Sequence, residues 1–329
     1  MDDLLNIFRA LGDPSRLRIL LLVRGMELAV GEIALILQQS QPRVSRHLRI
    51  LAEARLTDRV REGAWVFVRL GPAAISAPVL ALIDTLAVAD DLGASDRVRL
   101  VAVRADRAAS VDAWFAAHAG EWEQERSLHI HEAGVEQAIL AALDGPLGDL
   151  VDIGTGTGRM IELLGPRAST ALGLDRSPEM LRLARNRLDA AGQASVRMQE
   201  GDMYDLPLAA AACDTVMLHQ VLHFADDPAA VIAEAARVLR PGGRLAVIDL
   251  MPHGREDLRV ERRHLRLGFG NDNVLGWMAD AGLHGEVAAQ LHPQRSDELG
   301  VALWLGRKGS ALQDQPPPPR DQLKVTSWP

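Results

Sequence analysis

Apolar and polar positions in the first 56 residues alternate at the spacing of short helices. The apolar stripe of the first of these consists of Leu17, Leu20 and Leu21. Asp13 is its predicted N-cap, and Pro14 takes the first helical position, where the missing N–H costs nothing. A second helix is predicted over residues 30–37, and Ser40 is the expected N-cap of a third.

The third helix carries apolar residues at i, i+4 and i+7, which are Val44, Leu48 and Leu51. We expect its basic residues on the outside, namely Arg43, Arg46, His47 and Arg49. From Thr57 to Leu70 the period shortens to two, as in two strands joined by a turn at Glu62-Gly63. Three helices followed by a hairpin predict a winged helix-turn-helix.

Residues 72–88 carry a further apolar helical face, formed by Ile75, Val79, Leu82, Ile83 and Leu86. A module of this size has little core to cover that face. We therefore expect a homodimer that pairs through residues 1–12 and 72–88. A helical connector is predicted over 89–120, and the segment from Trp122 to Leu143 is assigned to the next domain.

From residue 149 onwards, short apolar runs alternate with amphipathic helices. Strands are predicted at 149–153, 170–174, 195–199, 214–218, 244–250, 286–291 and 301–305. The intervening helices are expected at 178–190, 227–239 and 272–281. This order predicts a parallel, doubly wound α/β domain over 121–306, followed by a proline-rich and disordered tail over 307–329.

The composition adds two limits. The chain has 329 residues, of which 48% are hydrophobic and 24% charged, and no apolar run approaches the roughly 20 residues that span a bilayer. Without a basic-then-apolar leader, a cytoplasmic protein with no membrane contact is expected. The net charge is −8, yet residues 1–70 hold 11 Arg and 8 acidic residues. Only this first part has the charge expected for binding nucleic acid.

A glycine-rich turn follows the first predicted strand of the α/β domain. Residues 150–153 (LVDI) run into 154–158 (GTGTG), and a helix follows. Glycine lets the backbone approach a ligand closely, so the turn alone fits either a dinucleotide or S-adenosylmethionine (SAM). The third glycine comes two residues after the second, whereas the dinucleotide fingerprint has three. This spacing disfavours an NAD-dependent oxidoreductase.

Three further motifs follow in order. Asp175 ends the second strand, where a carboxylate can accept both hydroxyls of an adenosine ribose. After the third strand, Asp202 is a candidate acceptor for an adenine amino group and Met203 a candidate contact to the ring. Residues 239–245 (LRPGGRL) form a tight turn into the fifth strand.

With these motifs, residues 121–306 resemble class I SAM-dependent methyltransferases of the UbiE-like group. The resemblance implies a Rossmann-like, mostly parallel sheet of seven strands whose last strand is antiparallel. It also implies a site for SAM or S-adenosylhomocysteine (SAH) and no metal. The residues that it assigns to this site are Asp152, Gly154, Thr155, Gly156, Gly158, Asp175, Arg176, Met180, Asp202, Met203, His219 and Gln220.

Residues 1–88 resemble the ArsR family of winged-helix repressors, through 11–20 (LGDPSRLRIL), 40–48 (SQPRVSRHL) and 61–63 (REG). Such proteins are homodimers that insert one recognition helix per subunit into the major groove of double-stranded DNA. The resemblance assigns base and phosphate contacts to Ser40, Gln41, Arg43, Ser45, Arg46, His47, Arg49 and Arg61. The alternative is that these residues are ordinary solvated groups on a helix face.

One family feature is absent. Metal-sensing members carry two cysteines in the helix before the turn, where this chain has residues 27–32 (ELAVGE) and its single cysteine lies far away. Soft-metal sensing through that position is therefore excluded. The spacing of His129 and His131 also fits a metal, but with no third ligand we expect them to form a lid near the SAM site, together with Trp122 and Arg126.

Two functions fit this sequence. The first is a DNA-binding transcriptional regulator, a repressor by resemblance, whose methyltransferase-like domain binds SAM or SAH as its effector. The second is an active methyltransferase for a small-molecule acceptor, with the first module used for dimerisation or targeting. Methyl transfer from a sulfonium depends mainly on proximity and orientation, so it needs no obvious base. The candidate bases, His219 and His223, follow the fourth strand.

Overall fold

The computed structural model describes residues 2–24, 26–62, 65–85, 94–118, 132–193, 196–293, 295 and 298–309. The predicted lid at Trp122, Arg126, His129 and His131 lies outside these ranges, as do residues 310–329 of the predicted tail. None of the helices in these ranges has the length and apolar content that a bilayer crossing needs.

The amino-terminal part is a winged helix-turn-helix, as predicted. Its helices are α1 (Asp2–Leu11), α2 (Pro14–Val23), α3 (Val30–Leu37), α4 (Gln41–Glu53) and α5 (Ala73–Thr85). Its antiparallel strands are β1 (Leu28–Ala29), β2 (Thr57–Glu62) and β3 (Trp65–Leu70), in the order β1-β3-β2. Asp13 caps α2 as expected, because its Oδ1 accepts the Ser15 N–H at 2.8 Å.

Two features of this part differ in detail from the expectation. Ser40 takes the predicted N-cap position of α4, but its side chain makes no capping hydrogen bond. The apolar face of α5 is also less open than predicted, because Val79 and Ile83 are buried against the winged-helix core of the same chain. Leu82 remains 45% exposed, so the surface available to a second copy is narrower than the sequence pattern indicates.

Helix α6 (Ala94–His118) follows, with 25 residues. Its first turns are attached to the winged-helix core. The buried carboxylate of Asp96 accepts hydrogen bonds from Arg18 of α2 and Arg99 of α6. The Arg99 Nε also donates to the Ile36 carbonyl at 2.6 Å, which closes the end of α3. The next described helix is α7 (Glu132–Ala142).

The second part is a seven-stranded sheet with a Rossmann-like order. Its strands are β4 (Gly148–Ile153), β5 (Ala168–Asp175), β6 (Arg197–Glu200), β7 (Cys213–His219), β8 (Leu239–Leu250), β9 (Leu283–Leu291) and β10 (Val301–Lys308). They are arranged as β6-β5-β4-β7-β8-β10-β9. The first five are parallel, and β10 is antiparallel to both neighbours. This confirms the predicted fold class, including the antiparallel last strand.

The sheet is covered by helices on both faces. These helices are α8 (Arg159–Leu164), α9 (Pro178–Ala190), α10 (Pro228–Val238), α11 (Asp257–Glu261) and α12 (Asn271–Asp280). The sheet continues two residues into the predicted tail, because Arg307 pairs with Arg244 and the Lys308 ammonium donates to the Ala236 and Leu239 carbonyls.

Strand register determines where the site forms. Ile153 at the end of β4 pairs with Leu174 of β5 on one side and with Leu218 of β7 on the other. The segments that follow these three strands therefore meet at the carboxyl edge of the sheet, where open α/β sheets bind ligands.

Candidate functional site

A cavity of about 670 Å³ opens at this edge. Its volume lies within the range of roughly 300–1,000 Å³ that is usual for small-molecule sites. The residues of the predicted nucleoside site that line it are Asp152, Gly154, Thr155, Gly156, Asp175, Arg176, Met180, Asp202, Met203, His219 and Gln220. Gly158 is the one predicted member that does not line the cavity.

The glycine turn needs its glycines for two different reasons. Gly154 and Gly156 have φ of +69° and +53°, which L side chains rarely adopt. A Cβ on Gly154 would also lie 2.4 Å from Cγ2 of Val221, so no room exists there for a side chain. Gly158 has a φ of +81° as well, and a Cβ on it would approach Cβ of Ala184 in α9 to 3.0 Å.

Asp175 closes the turn from the neighbouring strand. Its Oδ2 accepts the Gly156 N–H at 2.8 Å, and its Oδ1 accepts the Ser177 N–H at 2.8 Å. Asp202 follows the neighbouring strand β6 and also lines the cavity, and its Oδ1 accepts the Tyr204 N–H at 2.9 Å. A carboxylate has about four acceptor positions, so each retains capacity for a hydroxyl or amino donor.

Asp152 is the unusual acid of the site, with only 2% of its surface exposed. Its Oδ2 accepts the Thr155 hydroxyl at 2.7 Å, while its Oδ1 has no hydrogen-bond partner among the residues that the structure describes. Burial raises the pKa of Asp152 to about 7; the Thr155 hydrogen bond opposes this shift and the charge of Asp175 adds to it. Asp152 lines the cavity, and a buried carboxylate without a cationic partner among the described residues suits a cationic donor such as the ammonium group of SAM or SAH.

The segment after β7 separates the two histidine candidates. His219 and Gln220 line the cavity. Gln220 has a φ of +54°, an uncommon conformation of the kind that clusters at functional sites. His223 is 3% exposed and does not line the cavity, because its Nδ1 is bonded to Asp249 Oδ1 at 2.7 Å. Of the two candidate bases, His223 therefore does not border the cavity; it is held against Asp249 of β8 instead.

Two contributors to the cavity do not follow from the sequence motifs. Tyr204 lines it next to Met203, and its hydroxyl oxygen accepts the Asp227 N–H at 3.1 Å. Burial raises the pKa of Tyr204 to about 12. The other contributor is α6, which supplies Val101, Arg104, Ala105, Arg107 and Val111. Their spacing of three or four residues indicates a helix, but it does not identify the partner of that face.

The candidate DNA-contacting residues lie mainly on one surface of α4. The exposed ones are Ser40, Gln41, Arg43, Arg46 and Arg49, while Ser45 is partly buried. The Ser45 carbonyl accepts a hydrogen bond from Arg59 of β2, a residue of the wing that the motif did not include. The side chain of Arg61 lies outside what the structure describes.

His47 does not belong to this surface. It is buried, and its Nδ1 lies 3.9 Å from Asp13 Oδ1. Burial lowers the pKa of His47, so the ring is neutral at pH 7 and packs in the winged-helix core. The expectation that it reads DNA from outside is wrong, because His47 lies three residues after Val44 on the buried face of α4, which packs against α2.

Cys213 is buried at the start of β7, and burial raises the pKa of its thiol to about 12. A thiol in that state is not a nucleophile at neutral pH. In the described part of the chain, no group of three His, Cys, Asp or Glu side chains has the arrangement of a metal site.

Comparison with known families agrees with both resemblances. Residues 13–58 match the family described as "Bacterial regulatory protein, arsR family", and residues 151–247 match "Methyltransferase domain". The chain thus carries an ArsR-family helix-turn-helix domain and a methyltransferase domain, joined by the segment that includes α6.

Among curated proteins, the chain is similar to methyltransferases over part of their length. It is 30% identical over 171 residues to the malonyl-[acyl-carrier protein] O-methyltransferase of Hahella chejuensis, covering 49% of this chain and 60% of that one. It is 33% identical over 144 residues to the demethylmenaquinone methyltransferase of Thermobifida fusca, covering 44% and 59%. The chain therefore spans about three fifths of the length of these relatives.

A solved structure supports the fold alone. A chain of the complex between the Haloferax volcanii Trm112 methyltransferase activator and a methyltransferase superposes with a TM-score of 0.50 and 23% identity. The superposition covers 60% of this chain and 97% of that chain.

Proposed function

We propose that this chain is a DNA-binding transcriptional regulator, acting as a repressor, whose methyltransferase domain binds SAM or SAH as its effector. The observation that carries the proposal is that one helix, α6, is bonded to the winged-helix core and also lines the cavity. A ligand in the cavity can then change the orientation of α4 through α6. A chain used for catalysis alone has little need of the exposed basic surface on α4.

The proposed ligand fits the side chains that line the cavity. Asp175 is the acceptor for the ribose hydroxyls, and Asp202 with Met203 holds the adenine. Asp152, with its unused buried oxygen, pairs with the ammonium group. When bound, SAM supplies a methyl group on a sulfonium, whereas SAH offers the same nucleoside and amino-acid groups without that methyl.

The proposed regulator acts in the cytoplasm as a homodimer that pairs through residues 1–12 and 72–88. Leu4, Leu5 and Phe8 of α1 are 45–56% exposed, which leaves an apolar surface for a second copy. In such a dimer the two α4 helices have a fixed spacing on double-stranded DNA. A ligand that binds one arrangement of the two α4 helices more tightly than another shifts the dimer towards that arrangement. The change in DNA affinity is limited by the ratio of the two ligand affinities.

A second candidate, methyl transfer to a small-molecule acceptor, is favoured by one observation. The cavity extends beyond the nucleoside residues to Val111 of α6, Phe224 and Leu265. This apolar extension has the character of an acceptor compartment, and His219, which lines the same cavity, is the candidate base.

The test is DNA affinity measured with and without ligand. A duplex is selected from a randomised pool by the ligand-free protein, and its Kd is measured by fluorescence anisotropy alone, with saturating SAM, with SAH and with NAD. We expect a shift of about fivefold or more with SAM or SAH, and none with NAD. An unchanged Kd with both SAM and SAH would overturn the regulatory proposal. Conversion of SAM to SAH on addition of a small-molecule extract would then support the second candidate.

A further inference from the structure

Helix α6 presents different faces to the two domains. Leu100 and Val103 pack in the winged-helix core, while Val101 and Ala105 line the cavity. Helix α6 also contacts α9 of the methyltransferase domain. A displacement of this helix by a ligand beneath it therefore also moves residues of the winged-helix core, since close-packed interiors do not deform freely.

Two arginines of α6 line the cavity and bond to the winged-helix domain at the same time. The Arg104 Nε donates to the Met26 sulfur at 2.9 Å. The Arg107 Nε donates to Glu32 Oε1 at 2.7 Å, and its terminal nitrogens donate to Glu32 and to Asp226. Arg107 thus forms an ion pair with one acid from each domain.

Arg266 connects Asp226 to the winged-helix domain as well. Arg266 is 2% exposed, donates one terminal N–H to Glu27, and donates another to the Asp226 carbonyl at 2.9 Å. Its guanidinium carbon lies 4.4 Å from the centre of the Phe67 ring in β3. We call the five residues Arg107, Arg266, Glu27, Glu32 and Asp226 the arginine clamp.

Each end of the clamp touches a functional element. Asp226 lines the cavity, in the segment that begins with Gln220 at the end of β7. Glu32 fixes the start of α3, because its Oε2 accepts the Ala29 N–H at 2.8 Å. Helix α3 packs directly against the recognition helix α4.

Burial gives these ion pairs a strict geometry. The side chains of this ion-pair group are 11–19% exposed in Arg107, Glu32 and Asp226. If the pairs separate, water can therefore replace few of the lost hydrogen bonds. A buried, charge-assisted contact has preferred arrangements and does not stretch continuously. When a ligand moves segment 220–227, the ion pairs of Arg107 therefore move the start of α3 as well.

We propose that the arginine clamp is the connection through which ligand occupancy of the cavity changes DNA affinity. This inference rests on the proposed function and names the residues that carry its regulation. Because coupling between two binding sites is reciprocal, DNA must change the ligand affinity by the same factor.

The decisive variant is Glu32→Gln. Glu32 does not line the cavity, and glutamine can still accept the Ala29 N–H, so the cap of α3 is kept while the charge facing Arg107 is removed. We expect SAH and the selected duplex each to bind this variant. The ratio of duplex Kd values with and without SAH should fall below about twofold, from about fivefold or more in the wild type. The ratio of SAH Kd values with and without the duplex, measured by calorimetry, should fall by the same factor.

Two further variants complete the test. Glu27→Gln removes the charge that faces Arg266 and should also reduce the ratio of duplex Kd values with and without SAH. Glu179→Gln is the matched control, since it breaks an exposed ion pair with Arg182 on α9 and should leave the ratio unchanged. If the wild type shows coupling and both clamp variants match the control, the clamp inference is overturned and the proposed function stands. If the wild type shows no coupling, the proposed function fails, and this inference with it.

Discussion

Asp152 is a buried acid that lines the cavity and has a raised pKa. Burial raises the pKa of Asp152 to about 7, so the carboxyl titrates close to neutral pH in the ligand-free protein. A bound ammonium group favours the ionised form, so ligand binding releases that proton.

We therefore predict that SAH binds more tightly as the pH rises. Below pH 7 the ligand must displace a proton from Asp152, so Kd should increase about tenfold between pH 8 and pH 6. Calorimetry at these two pH values measures the change. Asp152→Asn should bind weakly and without this pH dependence, whereas the exposed Asp189→Asn should keep it. A wild-type affinity that is flat across this range would contradict the ammonium assignment.

The same shift has an opposite effect on the stability of the ligand-free protein. The folded state holds a proton up to about pH 7 that the unfolded chain, with its ordinary value of 3.8, has already released. The contribution of Asp152 to the free energy of unfolding is thus full below pH 3.8 and is lost as the pH rises through 7.

Gly154 gives a second test at this scale. Alanine there combines a left-handed backbone with a Cβ 2.4 Å from Val221 Cγ2, whereas at Gly156 the Cβ has open space. We predict that Gly154→Ala lowers the free energy of unfolding by about 1–3 kcal/mol more than Gly156→Ala does. Urea denaturation checks this difference. Adding Val221→Ala to Gly154→Ala should recover most of it, and failure to recover would show that the close approach is not the cause.

At the scale of single elements, the exposed arginines of the recognition helix α4 test the proposed DNA contact. Arg43→Ala and Arg46→Ala remove exposed cations of α4, so we predict that each weakens duplex binding by about 1 kcal/mol or more. An arginine that binds a phosphate should, on removal, also reduce the slope of log K against log salt by about 1. Arg182→Ala on α9 is the matched control and should change neither. Unchanged slopes in both α4 variants would contradict the assignment of this face to DNA.

Elements are easier to predict from this sequence than the faces they bury. The helix over 178–190 and the strand at 149–153 follow from local signals, namely caps, periodicity and turn residues. By contrast, His47 is buried because α2 and α4 pack together, and His223 turns inward because Asp249 of a distant strand bonds it. Such partners lie far away in the chain, so no local pattern identifies them.

The same limit applies to α6. Its spacing of apolar residues predicts a helix, but Val98 is 71% exposed and Val101 lines the cavity. Which surface a helix covers depends on the position of both domains around it. The glycine turn is predictable because its three positive φ angles fall within five consecutive residues, although its close contacts with Val221 and Ala184 do not follow from the local sequence.

At the scale of the whole molecule, the proposed dimer makes a further prediction. Phe8 is 56% exposed on α1, so Phe8→Glu should convert the protein to a monomer at micromolar concentration. Sedimentation velocity measures the change. Leu35→Glu is the control, since Leu35 is 66% exposed but lies on α3, outside the proposed interface. A Phe8→Glu protein that sediments like the wild type would contradict this interface.

Ligand-controlled regulation, its transmission through the arginine clamp and methyl transfer all require that the cavity take up a nucleoside with a sulfur-linked amino acid. Calorimetric titration of the full chain with SAM, SAH and NAD measures this directly. We predict one molecule of SAM or SAH per chain, no uptake of NAD, and an affinity about 10–100-fold lower for Asp175→Ala. A folded wild-type protein that takes up neither SAM nor SAH would contradict that requirement.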